Sequence, residues 1–136
     1  AAMLLLTADK YPEVYNESYR IPQILHGFAG AEAAEKELNI TDQEILDAIR
    51  YHTIGKAGMG LVSKIVYLAD AIEDGRDWDG VEKTRKLAEK DIDEAILYEL
   101  DKKIEYLMKK RSLIHPNTID FRNDLLNNMK KERVKI

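Results

Sequence analysis

Apolar residues recur at helical spacing along nearly the whole chain, and no stretch alternates apolar and polar residues long enough to predict a β-strand. The clearest stripe consists of Ile92, Ala95, Ile96, Leu100, Ile104, Leu107 and Met108. A helix with such a stripe must bury it against another element. The pattern therefore predicts an all-α protein built from packed amphipathic helices.

Turn and capping residues divide this pattern into helical segments. The predicted segments are residues 2–10, 23–38, 61–73, 81–90 and 91–111. Thr41 and Glu44 form the pattern of a capping box for a further helix that ends near His52. Pro116 starts a last helix, which runs into a charged tail at residues 130–136. Three glycines between residues 55 and 60 predict a flexible or close-approach loop.

The composition restricts the class of protein. A chain of 136 residues, 45% of them hydrophobic, is long enough for one core, so we expect a single compact domain over residues 1–136. The net charge of −4 disfavours nucleic acid and anionic membranes as partners. The absence of cysteine leaves only nitrogen and oxygen as metal ligands. Without a span of about 20 apolar residues or a signal-peptide flank, a cytoplasmic location is expected.

Asp70 is the least expected polar residue in the chain. Its neighbours are Ile65, Val66, Tyr67, Leu68, Ala69, Ala71 and Ile72, in a helix predicted to be buried on most sides. A buried carboxylate must be paired, hydrogen-bonded or bound to metal to offset its desolvation. The alternative is an aspartate at a solvent-facing position or in a structural pair with an arginine. From Asp70 alone, the structural alternative is favoured.

Three histidines are present, and two of them lie at helix ends. His26 lies in the first turn of the helix predicted at residues 23–38, and His52 lies at the end of the next helix. A single histidine near a helix C-terminus is more often a capping partner than a ligand. His115, before Pro116, is expected to be a turn or helix-flanking residue without a catalytic role.

Five ordered strings carry a resemblance to a known family. They are Leu25-His26-Gly27-x-x-Gly30-Ala31, Ala48-Ile49-x-x-His52-Thr53-x-Gly55, Lys64-Ile65-x-x-Leu68-Ala69-Asp70-x-Ile72-Glu73, Gly75-Arg76-Asp77 followed by Gly80-Val81, and Leu113-Ile114-His115-Pro116-Asn117-Thr118-Ile119 before Arg122-Asn123. In order and spacing they resemble the YqeK branch of the HD superfamily. The resemblance extends from about residue 4 to residue 128, which is nearly the whole chain.

The resemblance implies a fold, an activity and a set of ligands. The family has a compact, all-α, HD-domain-like helical bundle, binds iron or another divalent metal such as manganese, and splits diadenosine tetraphosphate into two ADP. Its pattern is a first His, a His-Asp doublet, two middle histidines and a final Asp. The middle histidines match His26 and His52, and the final Asp matches Asp70. These three are the expected catalytic and metal-binding residues.

The resemblance also implies how these ligands are shared, and the positive charge that a phosphate transfer needs adds basic candidates that follow the helix ends. Asp70 would share a metal with the first His and the doublet, whereas the two middle histidines would face a second metal or the phosphates. The expected substrate-binding residues are Thr53, Gly55, Lys56 and Arg76. Glu73 and Asp77 are expected to orient Arg76 or a metal-bound water. The alternative for both carboxylates is that they are solvated surface charges near a turn. For Lys56 a solvated surface position is weighed at least equally with substrate binding.

The first His and the His-Asp doublet are missing from the sequence. One alignment places Leu5-Leu6 at the doublet, and a second makes residues 4–10 the helix that follows it. The second is preferred because the first leaves the stretch up to His26 too short. The missing ligands are then expected upstream, on N-terminal helices outside this sequence. The chain as given is expected to hold a divalent metal weakly or not at all.

Two hypotheses of function follow. The first is a metal-dependent phosphohydrolase acting on a nucleotide or dinucleoside polyphosphate, completed by upstream ligands. The second is a catalytically inactive helical module that binds a nucleotide or forms a homodimer. A helical interaction protein acting through residues 91–111 is weaker, because it leaves the matches at His26, His52 and Asp70 unexplained.

Overall fold

The computed structural model describes Lys10 and residues 22–134. Residues 22–134 form six α-helices and no strand, which confirms the all-α prediction. The helices are α1 (Pro22–Leu38), α2 (Gln43–Tyr51), α3 (Leu61–Ile72), α4 (Val81–Ala88), α5 (Ile92–Lys109) and α6 (Pro116–Val134). Predictions for residues 1–9 and 11–21 lie outside the described residues, whereas Lys10 is helical as predicted.

The start of α2 differs from the predicted capping box. Asp42, not Thr41, is the N-cap, and its carboxylate accepts a hydrogen bond from the Glu44 backbone N–H at 2.9 Å. The helix therefore starts one residue later than the predicted box requires. Glu44 then stands at the second helical position, whereas a capping box needs its acidic residue at the third. His52 is the C-cap of α2, as the sequence predicts.

The chain divides into two compact units. Of the described residues, the first unit contains Lys10, residues 22–54 and Gly60–Tyr67, and the second contains Gly55–Met59 and residues 68–134. In the first unit α1 packs on α2 around a small core that consists of Ala31, Ala34 and Leu46 with Ile40 and Ile49. In the second unit α5 packs on both α4 and α6. The expectation of one domain over residues 1–136 stays a prediction.

The helices of the described ranges are all too short or too polar to cross a bilayer. Helix α6 continues to Val134, so the first residues of the predicted charged tail are helical.

His115 starts α6 in the flanking role that the sequence predicts. The residue is 5% exposed, and its Nδ1 atom accepts a hydrogen bond from the Asn117 backbone N–H at 3.0 Å. Because Pro116 has no N–H, Asn117 provides the first backbone donor of the helix. The imidazole therefore acts as the N-cap of α6.

The cap can be tested by comparing two substitutions of His115. Asparagine can accept the same backbone bond and alanine cannot, and both leave most of the ring's volume empty. We expect His115→Ala to be less stable than His115→Asn by about 1 kcal/mol. Urea unfolding of both variants measures the difference, and equal stabilities would show that the ring acts only by packing.

Candidate functional site

The first unit brings His26 and His52 together. His26 lies near the start of α1, His52 follows α2, and their Nε2 atoms are 2.9 Å apart. The ring planes meet at 77° with centroids 4.8 Å apart. His26 is exposed and His52 is half-buried, so a ligand can reach the pair from solvent. The Thr53 hydroxyl lies 3.4 Å from Nε2 of His26.

Glycine at position 27 permits this approach of the two helices. A Cβ atom built on Gly27 would lie 2.7 Å from the carbonyl oxygen of Arg50 and 2.9 Å from that of Ile49. Both contacts are with backbone, which cannot rotate away as a side chain can. Since His26 adjoins Gly27 and His52 lies two residues beyond Arg50 in the sequence, the close approach of α1 and α2 also brings the two rings together.

A backbone hydrogen bond sets the tautomer of His52. Its Nδ1 atom is 2.6 Å from the carbonyl oxygen of Ile49. A carbonyl oxygen only accepts hydrogen bonds, so Nδ1 carries the hydrogen and Nε2 of the neutral ring keeps its lone pair. Metal-binding histidines are commonly held this way, with the second ring nitrogen donating to a backbone carbonyl.

The pair fits two neighbouring ligands of one metal ion. Imidazole nitrogens bind zinc at about 2.0–2.1 Å, and at that length two of them lie about 3.3 Å apart at the tetrahedral angle and about 2.9 Å apart at right angles. The observed Nε2–Nε2 distance of 2.9 Å agrees with the right-angle arrangement. In the metal-free chain the same distance suits a hydrogen bond from Nε2 of His26 to the lone pair of His52. Within the described part of the chain, no group of three His, Asp or Glu side chains converges as metal ligands.

Asp70 lies in the second unit, near the end of α3, and its surroundings differ from the prediction. The side chain is 48% exposed, and Leu61, Val62, Ile65 and Val66 of the same helix are exposed as well. The predicted burial on most sides is therefore wrong. The carboxylate accepts from Nη2 of Arg76 at 3.3 Å, so Asp70 is solvent-facing and also paired with an arginine, the two arrangements that the structural alternative named. Its role as a metal ligand stays a prediction.

Arg76 is held mainly by the end of α3. Its Nε atom donates to the Asp70 carbonyl oxygen at 3.0 Å and lies 3.5 Å from Oε1 of Glu73. The other carboxylate oxygen of Glu73 accepts from the Gly75 backbone N–H at 3.0 Å, which closes the turn before Arg76. No described residue bonds to Nη1 of Arg76, so that group can meet an anion. Phosphate binding by Arg76 stays a prediction.

The glycine loop contributes packing in the second unit. Gly55 is buried with φ +71°, and a Cβ there would overlap the ring of Phe121. The close-approach alternative is therefore confirmed at Gly55. Gly58 donates its backbone N–H to Oδ2 of Asp124 at 2.9 Å. Lys56 is half-buried and Asp77 is exposed, and the roles predicted for both stay predictions.

The sequence interpretation missed Trp78 and Arg85. Both donate to backbone carbonyls at the C-terminal end of α3. Arg85 lies on a short, highly charged helix, where the local pattern predicts only a solvated surface. No local signal distinguishes an arginine that reaches another helix from one that points to water.

The comparisons with known proteins agree with the fold. The symmetrical bis(5'-nucleosyl)-tetraphosphatase of Bacillus subtilis (strain 168) is 42% identical over 97 residues, which are 71% of this chain and 52% of the relative. Its namesake from Halalkalibacterium halodurans is 42% identical over 104 residues, or 76% of this chain and 56% of the relative. The chain thus spans little more than half the length of these curated relatives. No family model matches the chain.

A solved structure is similar over most of its length. It is a Clostridium acetobutylicum protein described as a predicted HD superfamily hydrolase involved in NAD metabolism, with a TM-score of 0.85 and 35% identity. The match covers 93% of this chain and 68% of that one. Fold and identity together define the class as the HD superfamily, whose hydrolases are generally metal-dependent. Within this class, the chain belongs to the YqeK family, whose curated members carry the tetraphosphatase name.

Proposed function

We propose that this chain forms part of a hydrolase that splits a dinucleoside tetraphosphate symmetrically, diadenosine tetraphosphate giving two ADP. The proposal is supported by the names of the relatives at 42% identity. The observation that carries it is the histidine pair, with Nε2 atoms 2.9 Å apart and the His52 ring anchored on the Ile49 carbonyl. One exposed and one half-buried histidine held in this way serve a ligand better than they serve the core.

The proposed cofactor is iron or manganese, bound through nitrogen and oxygen ligands. His26 and His52 would hold one ion through their Nε2 atoms. Asp70 would hold another together with the family's first His and His-Asp doublet, which this sequence lacks. A bound divalent metal supplies positive charge for the anion that develops during phosphoanhydride cleavage, and it activates the attacking water.

The side chains of the chain have the following proposed roles. His52 presents a fixed lone pair, because its hydrogen is held on Nδ1 by a backbone acceptor. Arg76 offers its Nη1 group to a phosphate oxygen while Asp70 and Glu73 hold the rest of its guanidinium. Thr53, beside His26, can donate its hydroxyl hydrogen to an anion bound at the histidine pair. Gly55 and Lys56 would line the substrate, and Asp77 would support Arg76.

The test uses the protein expressed from its complete open reading frame. Incubated with diadenosine tetraphosphate and Fe²⁺ or Mn²⁺, it should release ADP as the sole nucleotide product. His26→Gln and His52→Gln should each lower kcat/KM by about 100-fold or more, because ligand loss costs more than the roughly 10- to 100-fold of an outer-shell change. Metal content, measured by elemental analysis, should fall in the same variants.

His115→Asn is the matched control, because it alters a histidine in a capping position outside the proposed site. Release of ATP and AMP in place of ADP would contradict symmetrical cleavage. Nucleotide binding without any turnover would support the inactive module instead. Full activity in both glutamine variants would remove the pair from the metal site.

A further inference from the structure

Side chains bond to the carbonyl groups that α3 leaves without helical partners. The last carbonyls of an α-helix have no N–H within the helix to accept from. Nε of Arg76 donates to the Asp70 carbonyl oxygen at 3.0 Å, and Nε1 of Trp78 donates to that of Ala71 at 2.8 Å. Arg85 donates through Nε to the Ile72 carbonyl oxygen at 3.0 Å and through Nη2 to that of Glu73 at 2.9 Å. Two of the three donor side chains are cationic, which also suits the negative end of the helix dipole.

Arg85 connects this helix end to Arg76. Besides the two carbonyls at the end of α3, its Nη2 group donates to the carbonyl oxygen of Arg76 at 3.1 Å. Its side chain is only 25% exposed and pairs through Nη1 with Glu82 on its own helix. One guanidinium thus holds the end of α3 and the backbone of Arg76 in a single arrangement.

Arg76 depends on this support because its own contacts are exposed. The side chains of Arg76 and Asp70 are both about half exposed, and exposed ion pairs of this kind hold a geometry only weakly. An arginine on a turn can bind a phosphate well only if its freedom is already restricted, because ordering the side chain costs entropy. The bonds from Arg85 restrict the backbone that carries it.

We propose that Arg85 is a positioning residue, which holds Arg76 and through it the Asp70 carboxylate in the arrangement used for the phosphate chain. The inference rests on the proposed function. Lysine cannot replace Arg85, because one ammonium cannot match the planar set of donors that reaches three carbonyls. Trp78 provides a comparison, since it bonds the same helix end and no hydrogen bond joins it to Arg76 among the described residues.

A double-mutant cycle on the protein from its complete open reading frame tests the proposal. Arg85→Lys should raise the KM for diadenosine tetraphosphate by about tenfold when Arg76 is present, and by less than about twofold in an Arg76→Ala background. Trp78→Phe, which removes one donor from the helix end, should change KM by less than about twofold in either background. Unfolding of every variant is followed in parallel to show that each one folds.

Equal effects of Arg85→Lys on KM in both backgrounds would overturn the proposal, because they would show a general structural role.

A second measurement, by NMR, does not depend on turnover. The Nε–H signal of Arg76 in ¹⁵N NMR should exchange slowly with water in the wild type and quickly in Arg85→Lys. An unchanged signal would overturn the positioning role even if activity is present. If the wild-type protein does not turn over diadenosine tetraphosphate, but the exchange rates of wild type and Arg85→Lys still differ, the proposed function is rejected and the positioning role is kept.

Discussion

Replacing Gly27 by alanine is expected to destabilise the protein by about 3 kcal/mol, at the upper end of overpacking costs, and to separate His26 from His52. The new Cβ would lie 2.7 Å from the Arg50 carbonyl oxygen, so α1 and α2 must move apart. Movement at this point is transmitted directly to the adjacent histidine. Urea unfolding measures the loss of stability, and Mn²⁺ titration of the same variant measures the loss of the pair.

Gly30→Ala is the matched control, one turn further along the same helix. A Cβ at Gly30 would meet only the Ile49 side chain, at 3.4 Å, which is ordinary contact. Since alanine favours helix over glycine, this variant should be up to about 1 kcal/mol more stable than the wild type. If Gly27→Ala were as stable as Gly30→Ala, the close approach of the two backbones would not be what holds the histidines together.

Replacing Gly55 by alanine is expected to destabilise the protein by about 4 kcal/mol, the combined cost of backbone strain and overpacking. Gly55 has φ +71°, a conformation that costs other residues about 1–2 kcal/mol. In addition, the new Cβ would lie 2.2 Å from the Phe121 ring, so a fully buried side chain must shift and the packing around it must open. Thermal or urea unfolding measures the effect.

Gly58 separates the two causes. It has φ +76°, but a Cβ there would meet nothing within 4 Å, so Gly58→Ala carries only the backbone strain of about 1–2 kcal/mol. Adding Phe121→Leu to Gly55→Ala should relieve part of the overlap, so the double variant should lose less than the two single losses added together. Strict additivity would show that the ring is not what excludes alanine.

The helices could be predicted from the sequence because helix formation is local. Each backbone hydrogen bond of a helix joins residues four apart, and the apolar residues of α5 recur once per helical turn. Capping was less certain at α2, where Thr41 and Asp42 are both good N-cap residues. Which of them caps depends on where the helix starts, and a shift of one residue moved Glu44 out of the capping-box position.

Burial could not be predicted in the same way. Helix α3 is apolar on more than one side, which led to the wrong expectation that Asp70 is surrounded. Its exposed residues include Leu61, Val62 and Ile65, whereas Tyr67 and Leu68 are buried. The sequence of one helix shows how much apolar surface the helix has. Which part of that surface is buried depends on the other helices that pack against it.

The sequence by itself determined that the chain is helical and, through its ordered strings, that His26, His52 and Asp70 are the candidate site residues. Only the tertiary structure decided that Gly27 allows two histidines from different helices to come within 2.9 Å, and that Arg85 reaches the end of α3. The physical reason is separation along the chain. Contacts between distant residues depend on how helices pack, and no local pattern encodes that packing.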